Sequence, residues 1–184
     1  MTLYPAFLKL EGLPVVVVGG GNVAASKLDG LLAAGAHVTV VAPQVVDSIR
    51  NRATVIEQCF RPAHLAGARW VVAAATPAVN REVATAAAAR GLFVNAVDDP
   101  EVATAYLGGV VRRGPVEIAI STGGLAPALA GLLREALDAI LPHDLERWSD
   151  VATAERKQWK QRHVPMGERR PLLLRALDRL YGAS

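Results

Sequence analysis

A mainly parallel α/β sheet, followed by a small hairpin-plus-helix module and a helical C-terminal tail, is predicted by three features of this 184-residue chain. In the first hundred residues, short β-branched runs alternate with amphipathic or alanine-rich segments, the pattern of repeated β-α units. Three consecutive glycines, Gly19 to Gly21, join the first such run to the first helical segment. After Pro100 the alternation gives way to two strand-like runs and then to long helical periodicity.

The elements follow in order. Pro14 to Val18 reads as the first strand, and four successive valines suit a strand buried on both faces. Val23, Leu28, Leu31 and Leu32 fall at helical spacing, with Lys27 and Asp29 elsewhere, which predicts a helix over 23–34 stopped by Gly35. His37 to Val41, Thr54 to Phe60 and Trp70 to Ala75 are the next strands, Ala78 to Arg90 is a helix ended by Gly91, and Leu92 to Val97 is the last strand of the series. Tyr106 to Val111 and Val116 to Ile120 are two runs separated by Arg112, Arg113, Gly114 and Pro115, which predicts a hairpin. Pro127 opens a helix through Leu129, Leu132, Leu133, Ala136, Leu137 and Ile140, and Pro142 ends it. The tail is helical and basic, with Arg156, Lys157, Lys160, Arg162, Arg169 and Arg170. The predicted organisation is a dinucleotide-type domain over 1–111, a hairpin-and-helix dimerisation module over 112–144, and a tail over 145–184. A homodimer is expected, because a two-stranded hairpin is marginal alone and the apolar helix needs a cover.

Composition narrows the function. With 52% hydrophobic and 20% charged residues the chain is no disordered or low-complexity polymer. A net charge of +3 admits an acidic small molecule as readily as a nucleic acid, but no basic stripe with interleaved aromatics is present, so nucleic acid is not an expected partner. Cys59, the one cysteine, can form no intramolecular disulfide, and His37, His64, His143 and His163 lack ligand spacing, so no resident metal site is predicted. Met1 to Leu10 shows no basic region followed by an apolar run, and no segment reaches membrane-spanning length; a cytoplasmic, membrane-free protein is the expectation.

The strongest local signal is Gly19-Gly20-Gly21-Asn22-Val23-Ala24, which follows the first strand directly and reads as G-x-G-x-x-A. Gly19 permits the tight turn, Gly21 lets backbone approach a pyrophosphate, and Ala24 lets helix and strand pack closely, while free N–H groups at the helix start attract the anion. This context predicts a Rossmann-like domain and a bound dinucleotide rather than a purely structural turn. The second strand runs into Ala42, Pro43 and Gln44 with no acidic residue for a ribose 2′-OH and no Arg for a 2′-phosphate. The residues therefore leave NAD and NADP open, with the Gln44 amide tilting the reading towards NAD.

The fifth strand ends in Asp98, Asp99 and Pro100, and ligands of open α/β sheets bind beyond the carboxyl ends of strands. On position alone the favoured reading is that Asp98 and Asp99 form a turn or cap a following helix with Pro100. The chain nevertheless resembles the precorrin-2 dehydrogenase and sirohydrochlorin ferrochelatase family, the stand-alone or N-terminal module of sirohaem synthases. The resemblance rests on Tyr4-Pro5, the stretch from Val18 to Ala24 with Lys27, Gly35-Ala36 before Val38 to Pro43, Asn95 to Pro100, Ile120 to Gly124 with Pro127 to Ala130, and Met166 to Arg170. It implies that Asp98 is the catalytic aspartate, that the glycine loop with Asn22, Val23, Pro43 and Gln44 contacts NAD, and that precorrin-2 is oxidised to sirohydrochlorin. In some members Fe²⁺ or Co²⁺ is inserted at the same site. A dehydrogenation releases a hydride and a proton, and a carboxylate at the crevice can take the proton. Ser121, Thr122, Gly123 and Gly124, between a strand and a helix start, are candidate donors to a substrate carboxylate. Two departures from the family pattern, Ala126 where a serine is usual and Tyr106-Leu107-Gly108-Gly109 where an aromatic-x-x-Pro is usual, predict weak or absent metal insertion. An NAD-binding regulatory domain without catalysis is the alternative; it explains the glycine loop and leaves Asp98 idle.

Overall fold

The computed structural model describes residues 2–182. The chain forms two compact units, one up to Leu107 and one from Gly108 onward. The first is built from β1 (Pro14–Val18), α1 (Asn22–Ala33), β2 (His37–Val41), the single-turn α2 (Asp47–Arg50), β3 (Thr54–Ile56), a 3₁₀ turn (Pro62–Leu65), β4 (Trp70–Ala73), α3 (Pro77–Ala88) and β5 (Val94–Ala96). Its five strands are all parallel and lie in the order β3-β2-β1-β4-β5.

β1 is central, and its valines serve two cores at once because side chains alternate across a strand. Val15 and Val17 pack with Leu28 and Leu31 of α1, Ile49 of α2, and Val40 and Val72. Val16 and Val18 pack on the opposite face with Val71, Ala73, Val94 and the stripe Val83, Ala84 and Ala87 of α3. All four valines are at most 5% exposed, which is why the run is unbroken by polar residues. Both long helices end in a left-handed glycine. Gly35 (φ 74°) donates to the Leu32 carbonyl while Ala36 donates to that of Leu31, and Gly91 (φ 64°) and Leu92 repeat the pattern on Ala88 and Ala87.

The strands are shorter than the apolar runs: the third ends at Ile56, the fourth at Ala73 and the fifth spans three residues. Parallel pairing stops where the partner strand stops, so the remaining apolar residues belong to the connections; Phe60, for example, is buried in the core from the loop before the 3₁₀ turn. Asp98 and Asp99 lead into turns and irregular backbone that run to residue 108, so they cap no helix.

The second unit contains β6 (Gly109–Arg113), β7 (Val116–Ile120), α4 (Pro127–Ile140), α5 (Leu145–Gln161) and α6 (Met166–Tyr181). β6 and β7 form the expected antiparallel hairpin, with Gly109 opposite Ile120 and Arg113 opposite Val116. The first strand begins at Gly109 rather than at Tyr106, so both strands fall in the second unit and the division of the chain lies before Gly108, not at Val111. A Cβ on Gly108 would lie 1.8 Å from the Ile120 carbonyl oxygen, which explains why glycine occupies that position. Arg113 ties the hairpin to α4 through the Asp138 carboxylate at 2.8 Å and the Asp138 carbonyl at 3.0 Å. Trp148 of α5 donates its indole N–H to the Tyr181 hydroxyl of α6, which bonds Asp144 in turn. Trp159 is buried. Arg169 is held on the Val164 carbonyl, whereas Arg156, Lys157, Lys160, Arg162 and Arg170 are exposed.

Candidate functional site

The strand order reverses direction between β1 and β4, the switch point at which open parallel sheets bind ligands beyond their carboxyl ends. The glycine loop stands there. Gly19 adopts φ 128°, and a Cβ on it would lie 2.2 Å from the Ala74 carbonyl oxygen; one on Gly20 would lie 1.9 Å from that of Gln44. Both positions are closed to side chains by backbone from the two neighbouring connections. The Gly20 carbonyl accepts the Val46 N–H at 2.8 Å, so the loop after β2, which carries Pro43 and Gln44 on the surface, is stitched to the loop after β1.

Gly21 differs. A Cβ there would meet nothing within 4 Å. Gly21 is the N-cap of α1 with extended backbone, it offers no side-chain cap, and the first turn of α1 holds no acidic residue. The initial N–H groups of a helix have no intrahelical acceptors, so those around Gly21, Asn22 and Val23 face open space uncompensated. Asn22 and Val23 are exposed at this start, and Ala24, fully buried beneath it, lets α1 approach the sheet. Open space, unclaimed donors and absence of negative charge are what a pyrophosphate requires, so the residues present fit a dinucleotide.

On the other side of the switch point a cavity of about 350 Å³ is lined by Val23, Ala74, Ala75, Pro77, Asn80, Arg81, Val97, Asp98 and Asp99. Its size lies in the range of small-molecule sites. Asp98 is exposed and left-handed, φ 58°, a conformation that costs an L-residue energy and that Asp tolerates better than most. Asp99 is turned inward and faces Arg81 at 3.6 Å. Asn80 is 2% exposed; its Oδ1 accepts the Ala75 N–H at 2.9 Å and its Nδ2 donates to the Val97 carbonyl at 3.3 Å. Neither Asn80 nor Arg81 is singled out by sequence reasoning. The signal available was a polar residue at 80 on the stripe that continues as Val83, Ala84 and Ala87, where a core-facing helix should be apolar.

The four residues 121–124 lie in the second unit. The Ser121 hydroxyl accepts the Gly123 N–H at 3.1 Å, so that candidate backbone donor is already used inside the turn, and just beyond the four residues the Leu125 and Ala126 N–H groups go to the Thr122 carbonyl and hydroxyl at 3.2 Å each. Gly123 and Gly124 are both left-handed, φ 65° and 79°. Ala126, the N-cap of α4, supplies no side-chain cap. Among the described residues no group of three or more His, Cys, Asp or Glu is close enough to hold a metal, and no helix is long and apolar enough to cross a membrane.

The comparisons with known proteins agree with this geometry. Residues 6–109 match a family described as putative NAD(P)-binding, and residues 113–139 match one described as sirohaem biosynthesis protein central. Siroheme synthase 1 of Aeromonas salmonicida is 42% identical, the alignment covering 98% of this chain and 40% of that protein. The siroheme synthase of Methylobacillus flagellatus is 39% identical over 92% of this chain and 38% of its own length. The chain thus spans about two fifths of the length of these curated relatives. Among solved structures, SirC, a precorrin-2 dehydrogenase, superposes with a TM-score of 0.75 at 26% identity, covering 99% of this chain and 93% of SirC. With a glycine loop whose open donors fit a dinucleotide, both matched segments in order, and a fold shared with SirC along nearly its whole length, the chain belongs to the family described as putative NAD(P)-binding and carries the sirohaem biosynthesis central segment after it.

Proposed function

We propose that this protein oxidises precorrin-2 to sirohydrochlorin with NAD, and that Asp98 is the catalytic base. The observation that carries the proposal is that the start of α1, through Val23, and Asp98 line one cavity at the switch point. The order β2-β1-β4-β5 sets the parts side by side: Pro43 and Gln44 beyond β2 for the adenosine end, Gly19 to Val23 beyond β1 for the pyrophosphate, Ala74 and Ala75 beyond β4 for the nicotinamide end, and Asp98 beyond β5. When bound, the nicotinamide ring supplies a hydride acceptor. Asp98 takes the proton that leaves with that hydride, so one substrate C–H delivers two electrons and the second hydrogen departs as H⁺ to the carboxylate. Its exposed carboxylate can pass the proton to water. Asp99, turned towards Arg81, has a different part: it anchors the turn. The similarity to SirC and to siroheme synthases supports this choice of substrate.

Metal insertion, with Fe²⁺ or Co²⁺ as second substrate, is the weaker activity on this reading, because Ala126 offers no hydroxyl. A homodimer fits the unpartnered apolar side chains of α4 and the turn before it, Leu125, Leu129, Leu132, Leu133 and Ile140, all exposed. We place the enzyme in the cytoplasm. The test is an anaerobic assay of precorrin-2 absorbance with NAD. Stoichiometric NADH formation with conversion to sirohydrochlorin is expected; NAD binding without turnover of this substrate would leave a nucleotide-binding module and refute the proposal. Light scattering at micromolar concentration should return a dimer mass.

A further inference from the structure

We infer that Asn80 is the positioning residue of Asp98, holding open the ends of β4 and β5 and fixing the peptide that precedes the carboxylate. The inference rests on the assignment of Asp98 as the catalytic base. In a parallel ladder a residue donates its N–H to one partner and accepts at its C=O from the residue two further along that partner. Val97 does the first half, donating to the Ala73 carbonyl at 2.9 Å. The second half would be a bond from the Ala75 N–H to the Val97 carbonyl. In its place stands the Asn80 amide, taking the Ala75 N–H on Oδ1 and giving an Nδ2 hydrogen to the Val97 carbonyl. The side chain is spliced into the ladder, so the two strand ends part by the width of an amide where the cavity opens.

The consequence for Asp98 is direct. The carbonyl that Asn80 holds belongs to the Val97–Asp98 peptide, and with the Val97 N–H bonded to Ala73 both sides of Val97 are fixed. Asp98 then turns left-handed, a state that persists only when its surroundings determine it. On the far side, Arg81, the next residue of α3, faces the Asp99 carboxylate at 3.6 Å. A purely structural account predicts an apolar residue at position 80, since it shares the core stripe with Val83, Ala84 and Ala87 and asparagine is a poorer helix former than leucine. A buried amide whose acceptor and donor both meet backbone of different strand ends is explained by the splice.

The test is a mutant cycle on steady-state precorrin-2 oxidation. Asn80→Leu keeps a branched side chain at the site but can neither accept from Ala75 nor donate to Val97; Asn80→Ala lets Ala75 and Val97 pair directly, and serves if the first variant folds poorly. Either should lower kcat by on the order of 10²-fold, the effect of about 1 Å of misplacement. The NAD dissociation constant should change far less than kcat, by less than about tenfold, because the pyrophosphate donors of Gly21 to Val23 are untouched and only the nicotinamide end at Ala75 lies beside the change. In an Asp98→Ala background the same substitutions should cost nothing further, because the residue they position is gone. Multiplicative losses in that background, or unchanged kcat in both Asn80 variants while Asp98→Ala is inactive, would overturn the inference and leave the function standing. Wild-type turnover in Asp98→Ala would overturn the catalytic assignment itself, and the inference with it.

Discussion

Gly21→Asp should make the protein more stable and nearly blind to NAD, and the two effects have separate structural causes. Gly21 has φ −89° and ψ −174°, a conformation open to any residue, and a Cβ there meets nothing within 4 Å. Aspartate is among the best N-caps, and α1 has neither a side-chain cap nor an acid in its first turn. Capping adds a few tenths of a kcal/mol over glycine and the helix dipole about 0.3–1 more, so the apo protein should gain about 0.5–1.5 kcal/mol, or roughly 1–6 °C in Tm. The same carboxylate occupies the donors meant for the pyrophosphate and repels it. A pair of like charges at about 4 Å costs from about 1 kcal/mol in water to about 4 at an effective dielectric of 20, which is on the order of 10²- to 10³-fold in affinity once the lost hydrogen bonds are included. Thermal unfolding with and without NAD reads both effects. At 100 times the wild-type dissociation constant NAD should stabilise wild type by about 2.7 kcal/mol and a variant weakened 100-fold by about 0.4. Full NAD protection of the variant would show that the pyrophosphate is bound elsewhere; a fall in its apo Tm would show that the start of α1 is not the vacant cap the geometry describes.

Gly20→Ala should act oppositely, unfolding the protein before it weakens NAD: with its Cβ 1.9 Å from the Gln44 carbonyl oxygen, the loop after β2 must move, at a cost of about 2–4 kcal/mol by chemical denaturation. Asp98→Ala should retain NAD binding and lose about 10²- to 10⁴-fold in turnover, with Asp99→Ala milder, while Asp98→Gly should be as inactive as the alanine variant yet about 1 kcal/mol more stable, because glycine adopts φ 58° without strain. Equal stability of the alanine and glycine variants would contradict that account of the turn. Ala126→Ser should raise stability by about 0.5–2 kcal/mol by capping α4 and should increase insertion of Co²⁺ into sirohydrochlorin supplied directly; rapid insertion by wild type, unaltered in the variant, would show the missing hydroxyl to be without consequence.

Local chemistry determined a good part of this protein from its residues alone. Four consecutive valines, the glycines that follow them, and the stops at Gly35 and Gly91 each act within a few positions of the chain, so the β-α units, the G-x-G-x-x-A loop and the hairpin with its following helix are legible without a fold. The acidic end of the fifth strand is legible too, but only as two adjacent aspartates between which the residues themselves do not choose. Tertiary structure made the distinction: Asp98 turns left-handed to the surface while Asp99 turns inward to Arg81, and both outcomes depend on residues of α3 18 positions back in the chain. The same holds for Gly20, whose need to lack a side chain comes from the Gln44 carbonyl, and for Asn80, whose polarity on an apolar stripe has no visible reason until β4 and β5 are paired and one bond of their ladder is found to pass through its amide. Strand order is a pairing between distant segments, and it alone brings the first and fifth strand ends to one cavity; no local pattern encodes which strand lies beside which, because the free energy that decides it is the burial of both faces of β1 at once.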